Sequence, residues 1–112
     1  MSENVKAQFR QPLVHDARRL LAEYDFSLGE IPTAISLRLY QSLADDRITV
    51  EQSHFIQTPI QSEPAFNEHE RHPDPETAVE RILGEFIRHY EDAEKKGHSP
   101  SADWLLPSRD FC

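Results

Sequence analysis

The C-terminal third of the chain has the clearest hydrophobic pattern. Apolar residues recur there at spacings of three and four, which places them on one face of a helix. The residues of this face are Val79, Ile82, Leu83, Phe86, Ile87, Tyr90 and Ala93. Asp74 and Pro75 favour a helix start, and Gly97 favours a helix end. The pattern therefore predicts a long amphipathic helix over 75–96.

A second pattern of helical spacing follows the polar N-terminus. Pro12 suits the first position of a helix, and apolar residues again recur at spacings of three and four. These residues are Leu13, Ala17, Leu20, Leu21 and Tyr24. The pattern predicts a helix over 12–25. Residues 1–10 are polar, and we expect them to be frayed.

The middle of the chain allows two interpretations. Ile31, Ile35, Leu39 and Leu43 lie four residues apart, as on a helix, but Ile35, Leu37 and Leu39 also alternate with polar residues, as in a strand. Residues 48–58 favour a strand by composition, although Thr49 and Gln52 also form a capping-box pair. The alternatives are two helices or one hairpin across the Asp45-Asp46 turn. The pattern over 33–44 is longer than most strands, and this length favours the two helices.

The remaining segments lack a regular period. Residues 59–74 predict a proline-rich loop, since proline interrupts helices and central strands. The tail from Ser99 to Cys112 contains Trp104 and Phe111, and we expect it to dock on the body because exposed apolar surface is unfavourable. The predicted fold is a mainly α, three-helix-type single domain over 1–112, with a long C-terminal amphipathic helix and a docked apolar tail. A short β-hairpin at about 33–57 is the alternative.

Charge restricts the classes of partner. The chain of 112 residues has a formal charge of −8, with −2 on residues 1–60 and −6 on residues 61–112. Nucleic-acid affinity depends on Lys and Arg displacing counterions, so direct nucleic-acid binding is disfavoured. No apolar run is long enough for a membrane helix, and residues 1–10 lack the apolar stretch of a secretory signal. With one cysteine, Cys112, an internal disulfide is impossible, and we expect a cytoplasmic protein.

The histidines give the most specific chemical candidates. His69 and His72 lie among carboxylates, and imidazole with carboxylate is a ligand set for transition metals. Their spacing matches no standard zinc motif, and Pro73 opposes a helical one, so a solvated polar loop is the preferred interpretation. His89 follows Glu85 by four residues, and a carboxylate near an imidazole can tune it as a base. His89 also lies beside the apolar stripe of the predicted helix, and a position at the boundary of that stripe is the preferred interpretation. We expect no metal and no cofactor.

Other sequence patterns point to no reaction. His54 follows Ser53, but adjacent side chains usually point away from each other, and no Gly-x-Ser-x-Gly elbow accompanies them. Residues 33–57 have the spacing of a helix-turn-helix without arginines that could contact bases. Cys112 is expected to be incidental. The chain therefore has no predicted catalytic residue.

These observations favour a small, acidic protein-interaction or regulatory protein without catalytic activity. Its partner would be another protein, and the expected partner-binding residues are Glu80, Phe86, Tyr90 and Trp104. A homodimer that completes the core is also expected, strengthened by salt because salt screens the repulsion between two acidic subunits. The alternatives are a small metal-dependent enzyme that uses His69 and His72, and an acidic decoy that occupies a nucleic-acid-binding protein.

Overall fold

The fold is mixed α/β. A computed structural model describes residues 3–65 and 70–111, and all statements on structure concern these ranges. The elements in chain order are α1 (Glu3–Phe9), β1 (Arg18–Phe26), β2 (Ile35–Ser42), β3 (Ile48–Gln52), β4 (His54–Ile56), α2 (Pro75–Lys95), a 3₁₀ turn (Ala102–Trp104) and β5 (Leu105–Pro107). One antiparallel sheet has the order β1-β2-β3, and a second pairs β4 with β5. The prediction of a mainly α, three-helix-type domain is wrong.

Strand β1 replaces the predicted helix over 12–25. The pairing of β1 with β2 shifts register between Leu20 and Ala22, as in a β-bulge. Leu21 packs against the core, and the next residue, Ala22, pairs with the buried Leu39. The irregularity interrupts the two-residue alternation of a strand, so the apolar residues fall at helical spacings. The first of them, Leu13, is 94% exposed and contributes nothing to a buried face.

The hairpin alternative for residues 33–57 is confirmed. Strands β2 and β3 are antiparallel, with pairs from Leu37–Gln52 to Gln41–Ile48. Asp46, in the turn between them, has the positive φ of +62° that aspartate tolerates better than most residues. The side chains of the hairpin that face the core are Ile35, Leu37, Leu39, Ile48, Val50 and Gln52. The predicted helix over 33–44 is wrong. The residues at the four-residue spacing are buried, but so is Leu37, which only the alternation of a strand places on the same face.

The predicted C-terminal helix is confirmed as α2. The Asp74 side chain accepts the backbone N–H of Thr77 at 2.7 Å, and Gly97 has a φ of +89° just beyond the helix. The buried residues of α2 are Ala78, Ile82, Phe86, Tyr90 and Ala93. The Phe86 ring packs edge-on against Phe26 of β1, with centroids 5.6 Å apart. The helix therefore covers the core face of the three-stranded sheet.

The prediction of a docked tail is also confirmed. Strand β5 pairs with β4, and the N–H of Gln57 donates to the carbonyl of Trp104 at 2.8 Å. The Trp104 side chain is buried, and its ring lies edge-on to Tyr90 with centroids 5.6 Å apart. The tail thus joins α2 to the second sheet.

The two segments that the sequence predicts to be irregular, the N-terminus and the proline-rich loop, differ in secondary structure. Residues 3–9, expected to be frayed, form α1; none of them is buried, and Lys6 forms an ion pair with Asp46 at 3.0 Å. In the described parts of the proline-rich loop, 59–65 and 70–74, there is neither helix nor strand beyond a backbone bridge from His72 to Ile48. Across the described ranges, neither helix has the length and apolar character needed to cross a membrane.

Candidate functional site

Strand β1 forms an open edge of the three-stranded sheet. In the described part of the chain, β1 pairs with β2 alone. A sheet edge of this kind presents a row of backbone N–H and C=O groups that can pair with another strand. The opposite edge is partly closed, because Ile48 and His72 exchange two backbone hydrogen bonds of 2.8 and 2.9 Å. The two edges of the sheet are therefore not equivalent.

The β1 edge also exposes large apolar side chains. Leu20 is 54% exposed and Tyr24 is 53% exposed. The strand has nine residues, and the stretch from Ala22 to Phe26 pairs regularly with β2 after the bulge. Natural edge strands are commonly short, or protected by charged side chains (lysine above all), by proline or by a β-bulge. β1 has four charged side chains and a bulge in its first half, but it is nine residues long and contains neither lysine nor proline. The length and the apolar side chains make β1 suited to strand addition.

An apolar groove runs beside this edge, between β1 and α2. Its volume is about 310 Å³, and its lining residues are Tyr24, Asp25, Phe26, Leu37, Val79 and Leu83. Ile87, one turn beyond Leu83 on α2, is 47% exposed. We call the exposed side of β1 together with this groove the β1 edge surface. It offers both backbone hydrogen bonds and apolar contacts.

The charges of β1 are ordered along the strand. Arg18 and Arg19 stand at its start, whereas Glu23 and Asp25 stand near its end. Within the subunit, Glu23 forms an ion pair with Arg38, and Arg18 lies 3.4 Å from Glu51. These pairs are surface pairs, which contribute little to stability. One end of the edge is therefore basic and the other acidic.

The polar face of the sheet is tied together by its own side chains. The Tyr40 hydroxyl donates to Glu51 at 2.8 Å, and Arg18 stacks on the Tyr40 ring at 3.7 Å. Burial, with this hydrogen bond, raises the pKa of Tyr40. The Arg38 guanidinium stacks on the ring of Phe111, 4.0 Å from its centroid. The tail therefore also contacts the polar face of the sheet.

The residues predicted to bind a partner fall in two different environments. Phe86, Tyr90 and Trp104 are buried, and Tyr90 packs on Trp104 as described above. Glu80 is exposed on α2. Their role in partner binding stays a prediction, but the three aromatic side chains serve the core of this fold.

The two histidines of the metal hypothesis are not brought together within the described structure. His69 lies outside the described residues. The interpretation of a solvated loop is wrong for His72, whose side chain is fully buried because its backbone bridge holds it against β3. Neither ring nitrogen of His72 has a hydrogen-bond partner among residues 3–65 and 70–111. Those residues contain no cluster of three or more metal-binding side chains. The metal-dependent enzyme stays a prediction.

Ser53 and His54 are in contact, contrary to the expectation that they point apart. The Ser53 Oγ atom accepts the N–H of Ser36 at 2.7 Å and lies 2.8 Å from Nδ1 of His54. The Ser53 hydroxyl and the His54 imidazole thus share a hydrogen bond, and burial lowers the pKa of His54. Within the described structure no carboxylate contacts this ring. The pair ties β2 to the junction of β3 and β4.

His89 lies beside a carboxylate on α2. Its Nε2 atom lies 3.0 Å from a Glu85 carboxylate oxygen, and the same carboxylate pairs with Arg88. The imidazole is half-buried on α2, which agrees with the expected position at the boundary of the apolar stripe.

Sequence reasoning missed the β1 edge surface. The signal that could have found it is Glu23-Tyr24-Asp25-Phe26, where charged and aromatic residues alternate strictly. Comparisons of the chain with protein families, with curated proteins and with solved structures gave no match.

Proposed function

We propose that this protein is a non-enzymatic interaction module that associates through its β1 edge surface with a second copy of itself. The single observation that supports the proposal is an open nine-residue edge strand whose charge order complements itself. Two antiparallel β1 strands would extend the three-stranded sheet to six strands across a two-fold axis, the commonest symmetry of homodimers. Strand addition supplies affinity from main-chain hydrogen bonds and specificity from side chains.

The charges favour the antiparallel arrangement. In that arrangement the start of one strand opposes the end of the other, so Arg18 and Arg19 approach Glu23 and Asp25 of the second copy. A parallel arrangement would place like charges opposite one another, which is unfavourable in a sheet. The charge order thus supports the antiparallel orientation as well as a second copy as the partner.

The apolar part of the surface supports the same geometry. The two-fold axis between antiparallel strands is perpendicular to the sheet, so both copies of α2 would lie on the same face of the six-stranded sheet. The half-buried Val79 and Leu83 and the exposed Ile87 would then approach the second copy across the axis. A stable interface buries about 1,200–2,000 Å² in total, more than backbone pairing of two strands provides, and the groove residues supply further area.

The net charge opposes association. Two subunits of charge −8 repel each other, and salt screens this repulsion over a Debye length of about 8 Å at physiological ionic strength. The cross-strand pairs act at shorter range and are screened less. We therefore expect the dimer to strengthen when salt is raised from about 10 mM to about 150 mM. A cytoplasmic location is part of this proposal, and it is supported by the single cysteine, which cannot form the internal disulfides common in oxidising compartments.

Analytical ultracentrifugation tests the proposal. Over a concentration series we expect the wild-type chain to shift from monomer to dimer, and Tyr24→Lys to weaken dimerisation by about tenfold or more, because lysine on an edge strand disfavours pairing. Leu13→Lys is the matched control: it introduces the same charge at an exposed leucine outside β1 and should leave the dimer unchanged. Circular dichroism confirms that both variants remain folded. A wild-type chain that stays monomeric throughout, or equal effects of the two substitutions, would overturn the proposal.

A further inference from the structure

A cavity with positively charged walls lies at the end of the sheet where β1 begins. Its volume is about 450 Å³, and it is formed by residues of β1, the β2–β3 hairpin and the loop before α2. The side chains that carry the argument are Arg18, Arg47, Arg71, Ser42, Thr49 and Asp16. This volume falls in the range of about 300–1,000 Å³ that is typical of small-molecule sites.

The charge of this cavity is opposite to that of the molecule. The chain has 12 Lys and Arg against 20 Asp and Glu, yet three arginines and one carboxylate line the cavity. Asp45 and Glu51 lie outside this lining and offset part of its positive charge, because they pair with Arg71 and Arg18. Such a local concentration of guanidinium groups attracts a small anion. A long polyanion would also meet the acidic surface elsewhere, which disfavours nucleic acid. The ligand is therefore a small anion.

The three arginines retain free donors. Within the described structure, Arg47 makes no side-chain hydrogen bond or ion pair. Arg71 contacts one carboxylate oxygen of Asp45 at 2.8 Å, and Arg18 contacts Glu51 at 3.4 Å. A guanidinium has five N–H donors in a planar fork, so one such contact leaves others available to an oxyanion.

The remaining polar groups complete the lining. The Ser42 oxygen accepts the N–H of Ala44 at 3.2 Å, and the Ser42 hydroxyl also hydrogen-bonds to the Asp45 carboxylate at the rim of the cavity. Thr49 contributes a second hydroxyl. Asp16 is different: its side chain is 94% exposed at the mouth of the cavity and one oxygen lies 3.2 Å from Nδ1 of His15. An ionised carboxylate repels an anion, but its remaining acceptor positions can take hydrogen bonds from hydroxyl groups. An anion that also carries hydroxyl groups would satisfy both the arginines and Asp16.

We propose that this cavity binds a small phosphomonoester that carries hydroxyl groups, a class to which the sugar phosphates belong. Arg47 and Arg71 bind the phosphate oxygens through charge-assisted hydrogen bonds, and Asp16 accepts from a ligand hydroxyl. This site is separate from the apolar groove beside β1, and the inference does not depend on dimerisation through β1.

Isothermal titration calorimetry tests the site on the full chain at physiological salt. The probes are ribose 5-phosphate and inorganic phosphate, and the variant is Arg47→Gln/Arg71→Gln, which leaves β1 unchanged. The control is Arg88→Gln on α2. Arg71 and Arg88 match closely, since their side chains are 60% and 61% exposed and each contacts one carboxylate residue. Thermal unfolding establishes that every variant is folded.

We expect saturable binding of ribose 5-phosphate, weakened about tenfold or more in the double variant and changed less than about twofold in the control. Inorganic phosphate should bind more weakly, because it does not offer the carbon-linked hydroxyl groups of the sugar. Equal binding of the two probes would support the oxyanion site but overturn the role of Asp16. If neither probe binds saturably, or if the double variant binds as the wild type does, the proposal is overturned.

Discussion

Tyr90 and Gly29 are in contact across the core, at the point where α2 crosses the connection between β1 and β2. A Cβ atom at position 29 would overlap the Tyr90 hydroxyl group, and that hydroxyl accepts the backbone N–H of Glu30 at 3.0 Å. The neighbouring residues Leu28 and Ile31 are buried. This contact fixes the end of β1 relative to α2, and so helps to shape the groove between them.

Gly29→Ala should therefore destabilise the fold. Residue 29 has a φ of +53°, which is unfavourable for alanine, and its methyl group would displace Tyr90. We expect a loss of about 2–4 kcal/mol in the free energy of unfolding, measured by urea denaturation. Gly84→Ala is the control: no atom lies within 4 Å of its added Cβ, and helix propensity predicts a gain of about 0.5–1 kcal/mol. Similar effects of the two substitutions would contradict the close contact.

Phe86 and Ile87 are adjacent on α2, but Phe86 lies in the core and Ile87 lies beside the β1 edge surface. Phe86 is 2% exposed and Ile87 is 47% exposed. Phe86→Glu should unfold the chain or destabilise it by at least about 3–5 kcal/mol, since it removes a core ring and buries a charge. Ile87→Glu should leave circular dichroism unchanged and weaken dimerisation. A folded, monomeric Phe86→Glu variant would instead place Phe86 in an interface and contradict its core position.

His54 gives the stability a defined dependence on pH. Burial lowers its pKa in the folded chain, so the unfolded chain binds the proton more readily. Stability should therefore fall as the pH falls from about 7 through the ordinary histidine pKa of about 6.5 and on towards the lowered value. In His54→Gln the melting temperature should decline less over this range. The other histidines are present in both proteins, so the difference reports on His54, and identical pH profiles would refute this assignment.

Local signals made α2 predictable from the sequence. The cap at Asp74, the stop at Gly97 and the spacing of the apolar residues all specify the same helix. The buried face is nevertheless rotated slightly from the predicted one, since Ala78 is buried and Ile87 is not. The small side chain of Ala78 fits where the helix approaches the sheet. Hydrophobicity alone does not show which positions of a helix lie that close to a neighbouring element.

Strand β1 is wrongly predicted because only its end, from Glu23 to Phe26, has the local alternation of a strand, and its other decisive features are not local. The irregularity between Leu20 and Ala22 depends on pairing with β2, and it makes a strand look helical. The ambiguity of Ile35 to Leu39 is resolved by the same pairing, together with β3 on the other side. Both proposed sites depend on this sheet: β1 supplies an open edge, and the positively charged cavity joins segments that are far apart in sequence.

Association through β1 can be tested with two charge-reversed variants that are mixed together. One carries Arg18→Glu and Arg19→Glu, and the other carries Glu23→Arg and Asp25→Arg. In antiparallel pairing, each variant alone opposes like charges at both ends of the strand, whereas the mixture opposes unlike charges. Each reversal from a carboxylate to arginine adds two charges, so the second variant has a formal charge of −4 in place of −8. If the repulsion between net charges were the only effect, the second variant alone would therefore form the strongest dimer.

Sedimentation velocity is measured on each variant and on the equimolar mixture, at a concentration where the wild type is dimeric. We predict that both variants are folded and monomeric alone, and that the mixture sediments as a dimer. A mixture that stays monomeric, or separate variants that dimerise as the wild type does, would contradict association through β1.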